Sequence, residues 1–440
     1  MKRWRWLLAG GAVLALASAM VALSLLRASP GQIWAEATAR SPGEGVRYLK
    51  RRLDHHDKLE AVFVPLLDWV QRRVERPVDL ADVPTLGRGP RLQTGVAAVS
   101  GNDHYVRNVD ELSRALMNAT AGQTVTLAPG TYAVAQRLRT GHPGTPAEPI
   151  IVRPAERGTA LLKVTATMAI RMTQPYWVVE GLDFQGVCKV HDDCEHALQI
   201  VGAARDVVVR DNRMRDFNAH LKVNGEGDNF PDNGRIEFNL LSNSTPRHTV
   251  RSVVPIDIVA ASGWQVTDNL ISNIVKSGGN GVAFAAFMKG GGSDGVFERN
   301  LVVCTPRDIS QPGVRVGLSF GGGGTGTPYC RDQRCVSEFS GGVARHNIIA
   351  HCNDSGLDVN TAVQTLLQNN TLINTAGIQL RGEPSSAEVR DNLLDGAIRA
   401  RKGSQLDARD NLVADTRDWF RDADGLGLAW RQTPAPAGAR

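Results

Sequence analysis

The sequence predicts an all-β protein built as a parallel β-helix, and two observations lead to this prediction. The first is an Asn that recurs in segments such as VVVRDNRM and WQVTDNLI, at intervals of 19 to 31 residues with one interval of 47. The second is a small or apolar residue three positions before each Asn. The recurring positions are Asn212, Asn239, Asn269, Asn300, Asn347, Asn370, Asn392 and Asn411.

A strand-rich repeat of this length is typical of a solenoid, because one copy cannot bury its apolar face alone and stacked copies share one core. Asn suits the bend of such a coil, since it tolerates a left-handed backbone, and stacked Asn side chains can form a ladder. The alternative is a β-sandwich with accidental Asn spacing. A sandwich shows frequent turn signals without a fixed phase, so we favour the β-helix.

The N-terminal residues 1–29 predict a signal peptide or a membrane anchor. Lys2, Arg3 and Arg5 precede an uncharged run from Trp6 to Leu26, which is typical of an export signal. The run is long enough to span a bilayer, whereas the sequence ASA at positions 17–19 resembles a cleavage site. We therefore expect an exported chain, periplasmic or extracellular, that contacts a membrane only through this segment; cleavage stays open, and we favour the anchor.

The rest of the chain divides by composition into four parts. Residues 30–76 carry two helical patterns, the second of them the amphipathic HDKLEAVFVPLLDWVQRRVE, and fit a membrane-proximal segment. Residues 77–103 are punctuated by Pro and Gly and predict a linker. The solenoid is expected over residues 104–430, with strand patterns that fade after Asn411, and a disordered tail over 431–440.

A short helix is predicted to cap the first coil of the solenoid. Asn108 and Glu111 have the spacing of an N-terminal cap pair, and Leu112, Leu116 and Met117 follow as apolar residues of the same helix. Exposed ends of a solenoid expose apolar core and unpaired strands, so a cap is expected there.

The six cysteines of an exported chain predict disulfides. Two pairs bracket short loops, and a third pair lies four and five residues after the Asn of consecutive coils. The expected pairs are Cys188 with Cys194, Cys330 with Cys335, and Cys304 with Cys352. Cys188, His191, Cys194 and His196 could alternatively bind a metal, but ligands this close in sequence without a second pair favour a disulfide-closed loop.

Composition limits the partners of the chain. The 440 residues are 42% hydrophobic and 22% charged, which is ordinary for a folded protein, and the net charge is +5. This mild positive charge favours an anionic partner such as an acidic glycan or a lipid surface. No motif for binding nucleic acid is present, so we expect none as a partner.

The segments GQTVTLAPGTY, AEPIIVRPA and YWVVEGLDFQG resemble the opening of right-handed parallel β-helix proteins of the chondroitinase B and alginate lyase type, a family of secreted polysaccharide lyases. The resemblance covers about residues 104–430 and implies the right-handed fold. It also implies an acidic, uronate-containing polysaccharide as the partner and β-elimination as the activity.

A second strand in each coil predicts a polar stripe on the surface. In VRVGLSF the Val, Leu and Phe residues point inward by alternation, so Arg315 points to solvent, and the same alternation applies in the neighbouring coils. The predicted stripe consists of His220, Lys222, Asp257, Lys289, Arg315, Asp358 and Asn360, with Lys289 in a strand that can be phased in two ways. Gly-rich inserts emerge beside this strand and could wall a groove.

Elimination from a uronate requires a charge that neutralises the carboxylate, a base and an acid. Lys222, flanked by His220, is the best candidate base, because a desolvated Lys beside other cations gives up its proton more easily. The family's active pair is a Lys followed some twenty residues later by an Arg. By resemblance, Lys222 would be that Lys and Arg247 that Arg. A polar stripe is also what any β-helix shows to water, so a purely structural role stays open.

Three alternatives remain at this stage. Calcium-dependent members of the family carry acidic ligands just upstream of the Lys, whereas this chain offers Asp216 and Asn218 there, with Asp228 and Asp232 in a later insert. No metal site is therefore predicted, and calcium stays open. A glycoside hydrolase needs paired carboxylates, and the only adjacent Asp pair of the solenoid lies within the Cys188–Cys194 loop. A non-catalytic glycan-binding or cell-envelope scaffold protein is the main competitor.

Overall fold

The computed structural model describes residues 103–306, 311, 313–322, 324–401, 403–423 and 425–431, residues 56–74, and the single positions 45, 46, 49, 50, 53 and 89. The predicted signal or anchor, most of the linker and residues 432–440 lie outside these residues. The chain divides into two units, Met1–Pro77 with Asp308–Ser310, and Val78–Arg307 with Gln311–Arg440. In the described part, no helix is both long and apolar enough to cross a membrane.

The first unit contains the helix Asp57–Val74, which lies in the second of the two segments with a helical pattern. Acidic residues in its first turn and basic residues in its last turn complement the helix dipole. The second unit contains the helix Val109–Asn118 and, among the described residues, three long parallel sheets.

Each complete coil contributes one strand to each sheet, and consecutive coils pair in parallel. Sheet 1 consists of Asp103–Val106, Thr124–Leu127, Ile150–Pro154, Trp177–Glu180, Val208–Arg210, Arg235–Glu237, Gln265–Thr267, Val296–Glu298, Val343–Arg345, Thr365–Gln368, Ser386–Arg390 and Gln405–Arg409. Sheet 2 consists of Leu138–Arg139, Met168–Met172, His196–Val201, Leu221–Asn224, Ile256–Val259, Val282–Lys289, Val314–Gly321, Leu357–Asn360, Gly377–Arg381 and Ala397–Ala400. Sheet 3 consists of Gly130–Val134, Ala160–Val164, Asp183–Gly186, Arg213–Arg215, Leu240–Ser242, Leu270–Ser272, Leu301–Val303, Ile348–Ala350, Thr371–Ile373, Leu393–Leu394 and Leu412–Val413.

Smaller elements decorate the coils. They are a short parallel sheet of Gly292–Ser293, Phe339–Ser340 and Ala362–Val363, and the 3-10 turns His191–Asp193, Thr327–Tyr329 and Thr416–Asp418. The inward side chains of the three long sheets form one continuous core along the solenoid axis. The predicted parallel β-helix is therefore the observed fold.

The recurring Asn residues form the predicted ladder between sheet 1 and sheet 3. Asn239 Nδ2 donates to Asn269 Oδ1 at 3.0 Å, and Asn269 Nδ2 donates to Asn300 Oδ1 at 3.0 Å, with the same contact continuing to Asn411. The left-handed residue is, however, the one before each Asn, such as Asp268 with φ of 57°. The Asn is present for its amide, which satisfies the backbone groups of the bend, and the preceding residue makes the turn.

The helix Val109–Asn118 caps the first coil as predicted. Asn108 Oδ1 accepts from Glu111 N at 2.9 Å, and Glu111 Oε2 accepts from Arg107 N at 2.7 Å, a contact that lowers the pKa of the Glu111 carboxyl. Leu112 and Leu116 are fully buried against the first strands. The prediction that Met117 also covers the first coil is wrong, because Met117 is 45% exposed.

A hairpin of Phe420–Asp422 and Gly427–Trp430 follows the last coil. Phe420 is buried among outward-facing residues of sheet 3, including Leu301, Ile348 and Leu393. The strand pattern fades after Asn411 because the chain leaves the solenoid there and folds back over its outer face. This apolar outward row would otherwise be exposed to water.

All three predicted disulfides are present. Cys304 and Cys352 join neighbouring coils with their Cα atoms 5.0 Å apart. The other two bridges close short surface loops, Cys188–Cys194 and Cys330–Cys335. Because Cys188 and Cys194 are bonded to each other, neither thiolate is free to bind a metal.

Candidate functional site

A cleft of about 580 Å³ lies on the outer face of sheet 2. Its floor is formed by side chains from three consecutive strands, chiefly Lys222, Asp257 and Lys289. Its walls come from two loops that follow sheet 2, residues 225–230 and the segment Gly324–Gln333. The volume lies in the range of ordinary ligand pockets, so the cleft can hold a small molecule or a short stretch of a polymer.

The register of sheet 2 explains how the floor forms. One outward position of each strand pairs with the same position of the next, which places these side chains in one row along the axis. This outward row runs Arg139, Arg171, Gln199, Lys222, Asp257, Phe287, Ser319, Asp358, Gln379 and Arg399. Neighbours in the row are about 4.8 Å apart, the spacing of paired strands.

Lys222 and Asp257 form the central contact of the cleft. Lys222 Nζ donates to Asp257 Oδ1 at 2.8 Å, and their side chains are 21% and 7% exposed. His196, in the preceding strand, donates from Nδ1 to Ala219 O at 3.0 Å. Burial, and secondarily the charge of Lys222, lowers the pKa of His196. Sequence reasoning named His196 only as a metal-ligand candidate and missed its proximity to Lys222.

Lys289 faces outward beside Phe287, which settles the ambiguous phase of its strand. Met288 is fully buried, whereas Lys289 is half-buried and its Nζ lies 4.6 Å from the centre of the Phe287 ring. Phe287 takes the outward position next to Asp257 and is only 5% exposed. The floor of the cleft therefore places an aromatic ring beside a cation.

Aromatic and apolar side chains form the remaining walls. Phe230 and Tyr329 line the cleft with Pro328, and Tyr329 is 74% exposed. The low aromatic content of the sequence suggested few residues that could stack against a sugar, but the loops gather Phe230 and Tyr329 beside Phe287. Their separation in sequence by as much as about 100 residues explains why no local pattern revealed this cluster.

We call Gly324–Glu338 the wall loop, and two contacts fix it over the cleft. Arg331 makes a bidentate ion pair with Asp232, at 2.7 and 2.9 Å, and its guanidinium lies 4.3 Å from the Phe230 ring centre. Glu338 is 3% exposed and accepts from Gly324 N at 3.0 Å and from Thr325 N at 2.9 Å. The buried carboxylate holds in place the Gly-rich turn of one of the inserts that the sequence predicted to wall a groove.

The predicted orientation of His220 and Arg315 is wrong. His220 is fully buried, its Nε2 lies 3.0 Å from Ser242 O, and burial lowers its pKa to about 4. Arg315 is 1% exposed. It lies at the start of the strand Val314–Gly321, just after the turn from sheet 3 and before Ser319, which is the residue of this strand in the outward row. Simple alternation fails at both positions because each lies where the strand begins and the chain is still turning.

Arg247 also lies away from the cleft. Its side chain is 2% exposed, and its Nε donates to Asn218 Oδ1 at 3.0 Å while Nη2 donates to His191 O at 3.3 Å. Burial lowers its pKa to about 10. The structure does not bring Arg247 together with Lys222 among the residues that line the cleft.

Asp358 and Asn360 lie two coils beyond the cleft. Asp358 is 2% exposed and accepts from Arg381 Nε at 2.6 Å; burial raises its pKa, although Arg381 opposes the change. Asn360 is half-buried and pairs in register with Gly321 and Arg381. The predicted continuous stripe is thus split into an open part at the cleft and a buried ionic network beyond it.

The acidic residues considered as calcium ligands do not converge. Asp216 Oδ1 accepts from the N and Oγ of Ser244, both at 2.7 Å, and Asp232 is paired with Arg331. Among the described residues, no three His, Cys, Asp or Glu side chains lie close enough together to hold a metal ion. Asp216 and Asp232 are thus each held by other groups of the protein.

The three parallel sheets, the buried Asn ladder and the capping helix define a right-handed parallel β-helix, the fold that the sequence resemblance implied. A pectate lyase structure has a TM-score of 0.53 with 14% identity, covering 74% of this chain and 84% of that chain. A lacto-N-biosidase from Eubacterium ramulus has a TM-score of 0.51 with 11% identity, covering 72% and 68%. An alginate lyase from Paenibacillus sp. gives a TM-score of 0.42 with 15% identity, covering 70% and 94%.

No family model matches the sequence, and no curated protein is similar to it. At identities this low the structural similarity shows the fold alone. Because one fold supports many reactions, the function has to be argued from the cleft.

Proposed function

We propose that the protein is an exported β-helix protein that binds an anionic, uronate-containing polysaccharide in the cleft of sheet 2 and cleaves it by β-elimination. The observation that carries this proposal is the meeting of Lys222, Asp257 and Lys289 on the floor of one cleft with aromatic walls. Cations bind the carboxylates of such a polymer, and aromatic faces pack against sugar rings.

Each requirement of elimination has a candidate group in the cleft. Lys289 supplies positive charge for the uronate carboxylate, which makes the adjacent C–H more acidic. Lys222 is the candidate base, and Asp257, 2.8 Å away, can accept the proton that Lys222 must first release. The hydroxyl of Tyr329 is an exposed donor that can assist the leaving oxygen.

Glycan binding without cleavage is the second candidate, and the Lys222–Asp257 contact favours it. An ammonium that is hydrogen-bonded to a carboxylate has no lone pair with which to accept a proton, but it binds an anion well. The Lys222–Asp257 contact therefore favours binding of an anionic glycan over proton abstraction by Lys222.

Export is part of the proposal and rests on two observations. The three disulfides fit an oxidising compartment, and the sequence of residues 1–29 resembles an export signal or anchor. Whether the N-terminal segment is removed can be read from the mass of the mature chain.

The test is ultraviolet absorbance on a panel of acidic polysaccharides, because elimination creates an unsaturated uronate that absorbs. We expect new absorbance with the wild-type protein, none with Lys222→Ala or Lys222→Arg, and no change with Lys163→Ala, an exposed Lys on sheet 3. Lys222→Arg retains a positive charge and should retain binding, whereas Lys222→Ala should weaken it about tenfold or more.

Absorbance that survives in Lys222→Ala would exclude Lys222 as the base. A flat trace with the wild-type protein on every polymer, together with retained binding, would refute elimination and leave the glycan-binding function.

A further inference from the structure

The outward row of sheet 2 continues past the cleft toward the N-terminal coils. Arg139, Arg171 and Gln199 precede Lys222 in register, so Arg139 lies about 14 Å from Lys222 along the axis, three strand spacings away. None of these residues belonged to the predicted stripe, because the sequence pattern of the early coils contains no Asn from which to count.

This part of the row is basic and accessible. Arg139 is exposed, and the side chain of Arg171 is 19% exposed. Burial is the main cause that lowers the pKa of the neighbouring Arg137, and the charges of Arg139 and Arg171 lower this pKa further. Within the described residues no carboxylate pairs with Arg137 or Arg139. Three guanidinium groups are thus held together against their mutual repulsion, with Lys222 one coil beyond Gln199.

Arg171 already holds a carboxylate. Its Nη2 donates to Glu226 Oε1 at 2.5 Å, and Glu226, on the loop that walls the cleft, is 58% exposed. An ion pair this exposed is weak, so another anion can replace the Glu226 carboxylate. The Glu226 oxygen marks the place where an acidic group of a ligand can contact Arg171.

The outward row is buried in the three strands that follow Asp257, before Gln379 and Arg399 become accessible again. Beyond Asp257 the outward positions are Phe287, Ser319 and Asp358, which are 5%, 0% and 2% exposed. The wall loop adds to this closure, since Arg331 reaches back to Asp232 and Ser262, which belong to earlier coils. A polymer in the cleft can therefore extend along the row only toward the N-terminal coils.

We propose that the polysaccharide lies along this basic track, with the sugar in the cleft at Lys222 and successive acidic groups of the chain at Arg171 and Arg139, where the first displaces Glu226. This inference rests on the proposed function, because it states in which direction the polymer bound in the same cleft extends and which further residues it contacts. It implies a ligand longer than the cleft itself, charged at intervals along its length.

The test is the dependence of affinity on chain length, measured by calorimetry, or as KM where absorbance develops. The probes are oligogalacturonates and oligomannuronates from disaccharide to octasaccharide. We expect the affinity of the wild-type protein to rise with length. Arg139→Gln and Arg171→Gln should each weaken the longest probe by about tenfold while leaving the shortest probe unchanged. Glu226→Gln should strengthen binding of the longer probes about two- to fivefold.

Arg345→Gln is the matched control, because Arg345 is an exposed arginine on sheet 1 that pairs with Glu298 at 3.1 Å. It should behave as the wild-type protein. A length dependence that is identical in Arg139→Gln, Arg171→Gln and the wild-type protein would overturn the basic track and leave the cleft function intact. Failure of the wild-type protein to bind any probe would refute both, and folding of each variant is checked by its urea midpoint.

Discussion

Replacing Asn269 with Ala removes one rung from the buried Asn ladder. Asn269 Oδ1 accepts from the N and Nδ2 of Asn239, at 2.9 and 3.0 Å, and Asn269 Nδ2 donates to Ile236 O at 2.8 Å and to Asn300 Oδ1 at 3.0 Å. Asn239, Asn269 and Asn300 are each fully buried, so water cannot replace the lost contacts.

The size of the effect follows from what the substitution leaves behind. The N–H of Asn239 loses its acceptor, and a buried unsatisfied donor costs about 1–3 kcal/mol. The three other hydrogen bonds of the Asn269 side chain named above are also lost, at about 1 kcal/mol each. Asn269→Ala should therefore lower the free energy of unfolding by about 4–6 kcal/mol.

Asn411→Ala provides the matched control at the end of the same ladder. Asn411 Oδ1 accepts from Asn392 N at 3.1 Å and from Asn392 Nδ2 at 2.9 Å, but Asn411 is half-buried and water can replace its side chain. The loss there should be about 1 kcal/mol. Urea unfolding followed by far-ultraviolet circular dichroism measures both variants through their midpoints and slopes. Equal losses at the two positions, or a loss below about 1 kcal/mol at Asn269, would show that the ladder does not stabilise the fold in this way.

Two further predictions concern stability. Burial lowers the pKa of His220 to about 4, below the value near 6.5 of an unfolded chain, so its contribution is complete above pH 6.5 and is lost as the pH falls toward 4. Between these values the wild-type protein should lose about 3 kcal/mol more stability than His220→Gln, measured by urea unfolding at each pH; parallel pH curves would contradict this assignment. Removing the Cys304–Cys352 bridge, which spans 48 residues, by a double Ala substitution should cost about 4 kcal/mol, against about 2 kcal/mol for Cys330–Cys335, which spans 5. Thermal unfolding of the two double variants compares them, and an equal loss would contradict the loop-length argument.

The features that were predictable from the sequence are those set by one coil and its neighbour. The Asn ladder repeats in every coil from Asn212 to Asn411, so its spacing is visible along the chain. The bond between Cys304 and Cys352 follows from the same count, because both lie at similar distances from the Asn of consecutive coils. In a solenoid, residues at equal offsets from the repeated Asn of consecutive coils are stacked on each other. A local sequence pattern is therefore sufficient to predict their contacts.

The features that were not predictable depend on loops that return from other coils. Alternation alone placed Arg315 and Asp358 at the surface, but turns and ion pairs of neighbouring coils bury them. The cleft wall likewise depends on the pair between Arg331 and Asp232, 99 residues apart, which no repeat encodes. Strand periodicity reports which face of a sheet a residue takes, not what covers that face.

The contact between Lys222 and Asp257 is what separates the two functions proposed for the cleft. It presents a charged ammonium to an incoming carboxylate, and the same hydrogen bond keeps the amine from accepting a proton until Asp257 takes one. Binding therefore requires only the charge at position 222, whereas elimination requires a proton to move through the pair. Lys222→Arg keeps the positive charge but cannot act as a base, because a guanidinium does not lose its proton in proteins. A polymer that binds this variant but is cleaved only by the wild-type protein would assign the chemistry to Lys222 itself.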